Sequence, residues 1–114
     1  MKRSVILLIA ICALAGPALC AEPDRGRPEI TLSAGRQGDV RFPHARHEDT
    51  LPDCTACHRT YPEEKGAIEK LAQDGKLKPQ QVMKECIGCH RQRKKDGLSF
   101  GPLSCKDCHH KSGE

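Results

Sequence analysis

The stretch Cys54-Thr-Ala-Cys57-His58 has the pattern Cys-x-x-Cys-His, in which a histidine directly follows the second of two closely spaced cysteines. The same pattern recurs at Cys86-Ile-Gly-Cys89-His90 and at Cys105-Lys-Asp-Cys108-His109. It is the attachment signature of c-type haem. The two thiols form the covalent links, and the histidine supplies one axial ligand of the iron. Three copies in 114 residues therefore predict three covalently bound haem c groups.

Zinc sites, redox dithiols and disulfide frameworks also use Cys-x-x-Cys pairs. None of these requires a histidine directly after the second cysteine, yet all three copies have one. The number of cysteines favours haem as well. Cys12 and Cys20 lie in a predicted leader, so the remaining six cysteines are all used by three haems. We therefore prefer haem to these alternatives.

Residues 1–20 have the pattern of a cleaved secretory signal peptide, with a positively charged start, an apolar run and a small-residue end. Cleavage after Cys20 would give a mature chain that begins at Ala21. An uncleaved anchor and a lipid-modified Cys20 are the alternatives. Because c-type haem is attached outside the cytoplasm, we predict a periplasmic protein with no stable membrane insertion.

The mature chain has little with which to build a hydrophobic core, since the protein contains two Phe, one Tyr and no Trp. A chain of this size would bury too little apolar surface on side chains alone. Three haems inside the fold would supply the missing core. We predict a flexible lead-in over residues 21–29, followed by one three-haem domain over residues 30–114.

The fold class predicted for that domain is small α+β with a haem-dominated core. Alternating residues over 30–32 and 39–42, with Gly35 and Gly38 between them, indicate a short N-terminal β-hairpin. One helix is predicted over residues 62–73, and a second from Pro79 into the second haem motif. Helices and loops would wrap around the three covalently attached haems.

Two histidines precede the first haem motif, at His44 and His47. Their spacing of three places both on one face of a helical turn. An isolated histidine is more often an ordinary surface or hydrogen-bonded residue. Beside three haems that each need a second axial ligand, however, we predict that both bind iron, each at a different haem.

A basic cluster follows the second motif and consists of Arg91, Arg93, Lys94 and Lys95. Such a run is most often a solvated face. The alternative is a docking surface near a haem edge, where positive charge would steer an acidic redox partner into contact. Nucleic acid is excluded as a partner, because the chain has few aromatic residues for base stacking and an extracytoplasmic destination.

Three Cys-x-x-Cys-His motifs, preceded by a hairpin and by Phe42-Pro-His44-x-x-His47, resemble the small multihaem cytochromes c3 and, more closely, the three-haem cytochromes c7. The resemblance covers nearly all of the mature chain. It implies closely spaced bis-histidine haems and a periplasmic protein that carries electrons between respiratory redox partners. It also implies that His44 ligates the haem of the first motif and His47 the haem of the second.

The chain departs from this family at the third haem. Cytochromes c7 usually carry a further histidine just before the second motif, but residues 78–85 contain none. Met83 and His110 are the remaining candidates for the sixth ligand of the third iron, and an open or externally supplied position is the third possibility. A methionine ligand would raise the reduction potential of that haem.

Six-coordinate irons leave no position for a substrate, so the predicted reaction is outer-sphere transfer of single electrons and the protein is not an enzyme. Two alternatives stay open. One is a haem protein with an open iron that binds or reduces a small ligand such as nitrite. The other is a subunit of a membrane-bound redox complex, tethered by an uncleaved N-terminus.

Overall fold

A three-stranded antiparallel sheet joins the two ends of the domain in the computed structural model, which describes residues 25–111. Its strands are β1 (Ile30–Leu32), β2 (Asp39–Phe42) and β3 (His109–His110), in the order β1-β2-β3. The predicted hairpin is confirmed, with Ile30 opposite Phe42 and Leu32 opposite Val40. The signal peptide predicted for residues 1–20 lies outside the described residues.

Strand β3 was not predicted from the sequence, because two residues are too few to show an alternating pattern. It pairs with β2 by placing His109 opposite Val40 and His110 opposite Asp39. The close approach depends on Gly38, which has a φ of 92°. A Cβ atom at this position would lie 2.7 Å from the backbone carbonyl carbon of His110, so only glycine fits there.

The described chain contains five α-helices. They are α1 (His44–Thr50), α2 (Thr55–His58), α3 (Ala67–Gln73), α4 (Gln81–Lys95) and α5 (Cys105–Cys108). The helix predicted from Pro62 was wrong in its first turn, because Gly66 adopts a left-handed conformation with a φ of 76° and the helix starts only after it. The helix predicted from Pro79 begins two residues later, after Gln80 with a φ of 62°.

Side-chain packing within the polypeptide is sparse. Among residues 25–111, Ala67 is the one buried residue, with 7% of its surface exposed. The polypeptide alone therefore has almost no hydrophobic core, as its composition predicts. No helix in this part of the chain has the length and apolar character needed to span a membrane.

Candidate haem sites

The cysteines of each Cys-x-x-Cys-His motif lie at a helical turn, on α2, α4 and α5 in chain order, whereas His109 of the third motif is the first residue of β3. The first turn is started by Asp53, whose carboxylate accepts hydrogen bonds from the Thr55 amide at 2.9 Å and the Thr55 hydroxyl at 2.6 Å. These bonds lower the pKa of Asp53. All six motif cysteines are free thiols, so none is lost to a disulfide.

Cys86 on α4 interacts electrostatically with thiols of the first and third motifs. Burial, together with the neighbouring Cys57 and Cys108 sulfurs, raises the pKa of the Cys86 thiol to about 11. Burial and the proximity of Cys89 likewise raise the pKa of Cys57. Cys86 is therefore within electrostatic reach of both other motifs.

His44 pairs with His58, the histidine of the first motif. Their ring centroids are 6.0 Å apart and their planes differ by 79°. Two imidazoles that bind one metal from opposite sides, each through a bond of about 2 Å, have centroids about 6 Å apart. The two rings thus have the separation that a shared iron requires.

His47 pairs in the same way with His90, the histidine of the second motif. Their ring centroids are 6.2 Å apart, with an interplanar angle of 33°. The Phe42 ring supports His47 from the end of β2, with a centroid separation of 4.4 Å. Helix α1 therefore brings its two histidines beside the histidines of two different motifs.

Five histidines form a hydrogen bond between Nδ1 and a backbone carbonyl oxygen. The bonds are His44 to Arg27 at 3.1 Å, His47 to Pro43 at 3.0 Å, His58 to Tyr61 at 2.9 Å, His90 to Pro102 at 2.7 Å and His109 to Gly38 at 3.1 Å. Because a carbonyl oxygen only accepts, Nδ1 carries the proton and Nε2 keeps its lone pair. Metal-binding histidines are commonly oriented by such a bond. These five residues fit axial ligation of haem iron.

The third motif is different, because no imidazole in residues 25–111 lies opposite His109 as His44 lies opposite His58. His110 follows it on β3 but, by the alternation of a strand, points to the other face. The His110 side chain is exposed and its ring has no hydrogen-bond partner in the described chain. Met83, the other candidate, lies in the first turn of α4 and is 38% exposed.

A loop after α4 holds the ring of His90. Its Pro102 carbonyl accepts the Nδ1 hydrogen bond, and Gly101 lies so close that a Cβ atom there would be 2.6 Å from Nε2. Arg93 fixes the loop through a 2.6 Å bond from Nε to the carbonyl of Ser99. Sequence reasoning missed this contact, since nothing in a Gly-Pro pair indicates which histidine it will touch.

The basic cluster is therefore divided between two roles. Arg93 holds the loop, and the Lys94 ammonium lies 5.5 Å from the centre of the Phe100 ring as a cation–π contact. Arg91 and Lys95 are exposed and form no ion pair within the described residues. These two residues are the ones free to meet a partner.

The zinc alternative lacks a suitable cluster. Nowhere in the described part of the chain do three His, Cys, Asp or Glu side chains come together as a protein zinc site requires. His44 meets His58 and His47 meets His90, and each pair comes from separate elements.

Comparison with known proteins gives the same picture. A model of the class III cytochrome c family matches residues 21–109. Cytochrome c7 of Geobacter metallireducens is 36% identical over 111 residues, which cover 97% of this chain and 100% of that protein. The 26 kDa cytochrome c3 of Desulfomicrobium norvegicum is 34% identical over 91 residues, which cover 65% of this chain and 79% of that protein.

Two solved structures from Geobacter sulfurreducens resemble the fold. One is PpcC, a cytochrome c7, with a TM-score of 0.51 and 35% identity. The other is the solution structure of the triheme cytochrome PpcA, with a TM-score of 0.51 and 34% identity. Each is covered completely and matches 75% of this chain. The predicted small α+β fold class is confirmed.

Proposed function

This chain belongs to the class III cytochrome c family, whose small multihaem members bind haem c and carry electrons, and on that premise we propose that it is a periplasmic three-haem carrier of single electrons. The observation that carries the proposal is the pairing of His44 with His58 and of His47 with His90, at centroid separations of 6.0 and 6.2 Å. An iron held between the two rings of either pair would have no axial position left for a substrate.

The attachment residues are the two cysteines and the histidine of each motif. They are Cys54, Cys57 and His58; Cys86, Cys89 and His90; and Cys105, Cys108 and His109. When bound, each haem supplies an iron that can gain or lose one electron. The polypeptide holds the three attachment points close together, with Cys86 near both Cys57 and Cys108.

The histidine hydrogen bonds set the chemistry of the axial ligands. A carbonyl that accepts from Nδ1 fixes the ring orientation and makes Nε2 a stronger electron donor. A stronger donor stabilises the oxidised iron and lowers the potential. At His90 this bond is 2.7 Å long and the loop that provides it is anchored by Arg93. His90 therefore has the shortest of the five orienting bonds and would be held in place for the second haem.

The proposed periplasmic location rests on the leader pattern of residues 1–20, and the proposed partners rest on the positive charge of Arg91 and Lys95. The proposed export rests on residues 1–20, and the domain then covers residues 30–114 after the lead-in 21–29. The described end of this lead-in contacts α1, where the Ala45 amide donates to the carbonyl of Pro28 at 3.0 Å. We propose that the exposed Arg91 and Lys95 contribute to docking of acidic redox proteins.

The intact mass of the protein purified from the periplasmic fraction tests the proposal. We expect a chain that begins at Ala21 and carries three haems. A membrane-bound product with its N-terminus retained would instead favour a tethered subunit of a redox complex. A product with fewer haems, or with bound zinc, would refute the three-haem carrier.

Single replacements test the axial pairs. His44→Ala is expected to convert only the first haem from low spin to high spin, and His47→Ala only the second, because each removes one of two imidazoles. His110→Ala serves as the control, since its exposed ring faces away from His109. Electron paramagnetic resonance would count the high-spin irons. Unchanged spectra for His44→Ala would contradict the pairing.

A further inference from the structure

The hydrogen bond that orients His44 comes from outside the predicted three-haem domain. Its Nδ1 donates to the carbonyl oxygen of Arg27 at 3.1 Å, and Arg27 lies in the lead-in that precedes β1. The other four orienting carbonyls lie within residues 30–114 and belong to Pro43, Tyr61, Pro102 and Gly38. Among these five histidines, His44 alone takes this bond from the lead-in.

Two further contacts hold the lead-in along helix α1. Near the end of the helix, Arg25 Nη1 lies 3.5 Å from Asp49 Oδ1, an exposed ion pair that contributes at most about 1 kcal/mol. Near its start, the Ala45 amide donates to the carbonyl of Pro28 at 3.0 Å. The first amides of a helix have no partner within it, and the N-cap residue Pro43 supplies no side-chain bond. The lead-in therefore also caps α1.

Gly26 gives the lead-in its path past the His44 ring. Its φ of 76° is a left-handed conformation that residues with a side chain rarely adopt. A Cβ atom on Gly26 would lie 3.7 Å from Cε1 and 3.9 Å from Nδ1 of His44, which is ordinary contact distance. The backbone therefore turns beside the edge of the ring and brings the next carbonyl, that of Arg27, to Nδ1.

A carboxylate competes with this carbonyl for the same ring nitrogen. Oε2 of Glu48, one turn later on α1, lies 3.7 Å from Nδ1 of His44, which is beyond hydrogen-bonding distance. The Arg27 oxygen is closer and lies within that distance. The lead-in, and not Glu48, therefore keeps the proton on Nδ1 and leaves Nε2 free to bind iron.

We infer that residues 25–28 belong to the first haem site, where the backbone carbonyl of Arg27 positions His44 as an axial ligand. The inference rests on the pairing of His44 with His58 proposed above. The haem domain then includes residues 25–28, which the sequence assigned to a flexible lead-in. Because the role belongs to a backbone carbonyl, it does not need the Arg27 side chain. The bond also makes Nε2 of His44 a stronger donor to the first iron.

Deletion of residues 25–28 from the otherwise complete chain tests this inference. Proton NMR of the reduced holoprotein measures how fast the Nδ1 proton of each ligand histidine exchanges with solvent. We expect exchange at His44 to become roughly fivefold faster, which corresponds to about 1 kcal/mol for one lost hydrogen bond. Gly26→Val should have the same effect at full chain length, because a β-branched residue is strained at a φ of 76°. If the deletion prevents haem attachment, Gly26→Val decides by the same criterion.

Arg27→Ala is the matched control, since it removes the side chain and keeps the carbonyl, and it should leave exchange at His44 unchanged. Glu48→Gln should also leave it unchanged, because the carboxylate is not the hydrogen-bond partner. Wild-type exchange at His44 in Gly26→Val and in a haem-loaded deletion variant would overturn the inference, as would faster exchange in Arg27→Ala or Glu48→Gln. A mass with three haems, together with one high-spin iron in His44→Ala, would leave the proposed carrier standing in either case.

Discussion

Replacing Gly101 by alanine tests whether the loop after α4 sets the properties of the second haem. The added methyl group would lie 2.6 Å from Nε2 and 2.9 Å from Nδ1 of His90. Carbon and nitrogen atoms in ordinary contact are about 3.5 Å apart, so the ring and loop must separate by about 1 Å. The loop cannot simply swing away, because Arg93 holds its Ser99 carbonyl at 2.6 Å.

The expected magnitude follows from the hydrogen bond that this shift breaks. The bond from His90 to Pro102 is 2.7 Å long, and a shift of about 1 Å takes it beyond hydrogen-bonding distance. Its loss removes about 1 kcal/mol of stabilisation from the oxidised iron, which is about 40 mV for a one-electron couple. We therefore expect the potential of the second haem to rise by about 40 mV, and the free energy of unfolding to fall by about 1–3 kcal/mol from overpacking.

Redox titration followed by NMR of the individual haem methyl signals would measure the three potentials separately. Gly88→Ala is the control, because Gly88 also lies on α4 and a Cβ atom there would have no neighbouring atom within 4 Å. The equivalent position in the other two haem motifs is occupied by Ala56 and Asp107, so a side chain is tolerated there. It should leave all three potentials unchanged. The reasoning is refuted if Gly101→Ala leaves the second potential and the stability at wild-type values, or if it shifts all three haems equally.

Three further predictions concern other contacts. Gly38→Ala should separate β3 from β2, because its Cβ would lie 2.9 Å from the amide nitrogen of Lys111, which follows β3. NMR of the haem methyl signals should then show a change at the third haem alone. Tyr61→Phe should lower the free energy of unfolding by about 1 kcal/mol, because it removes the bond to Glu85 that joins the first motif to α4; chemical denaturation would measure it. The double variant of Arg91→Glu and Lys95→Glu should slow association with an acidic redox protein at low salt and converge on the wild-type rate at high salt, as followed by stopped-flow absorbance.

The haem motifs and the hairpin were predictable because both are local. The two thiols and the imidazole of Cys-x-x-Cys-His lie within five consecutive residues, so the spacing alone indicates haem. Alternation over 30–32 and 39–42 with glycines between them likewise indicates a hairpin. The start of α3 was mispredicted because Pro62 and two acids favour a helix start, whereas the left-handed Gly66 moves it to Ala67.

The contacts between distant segments could not be predicted in the same way. The loop at Gly101 touches His90, and Gly38 bonds to His109, across separations of 11 and 71 residues in the chain. Neither pair has a sequence pattern, because the contact is created by how α4 and β3 are placed. The different roles of the basic residues also could not be predicted, since only the fold shows that Arg93 donates to the Ser99 carbonyl while Arg91 is exposed.

By itself, then, the sequence indicated the cofactor chemistry, because two thiols and an imidazole within five consecutive residues form the attachment signature of c-type haem. It also showed that the polypeptide is short of large apolar side chains, from which we predict that haem supplies its core. Only the tertiary structure decided which imidazoles face each other and that His110 is exposed while His109 is partly buried. The reason is physical: axial pairing is a matter of distance between elements, and local residue preferences do not encode that distance.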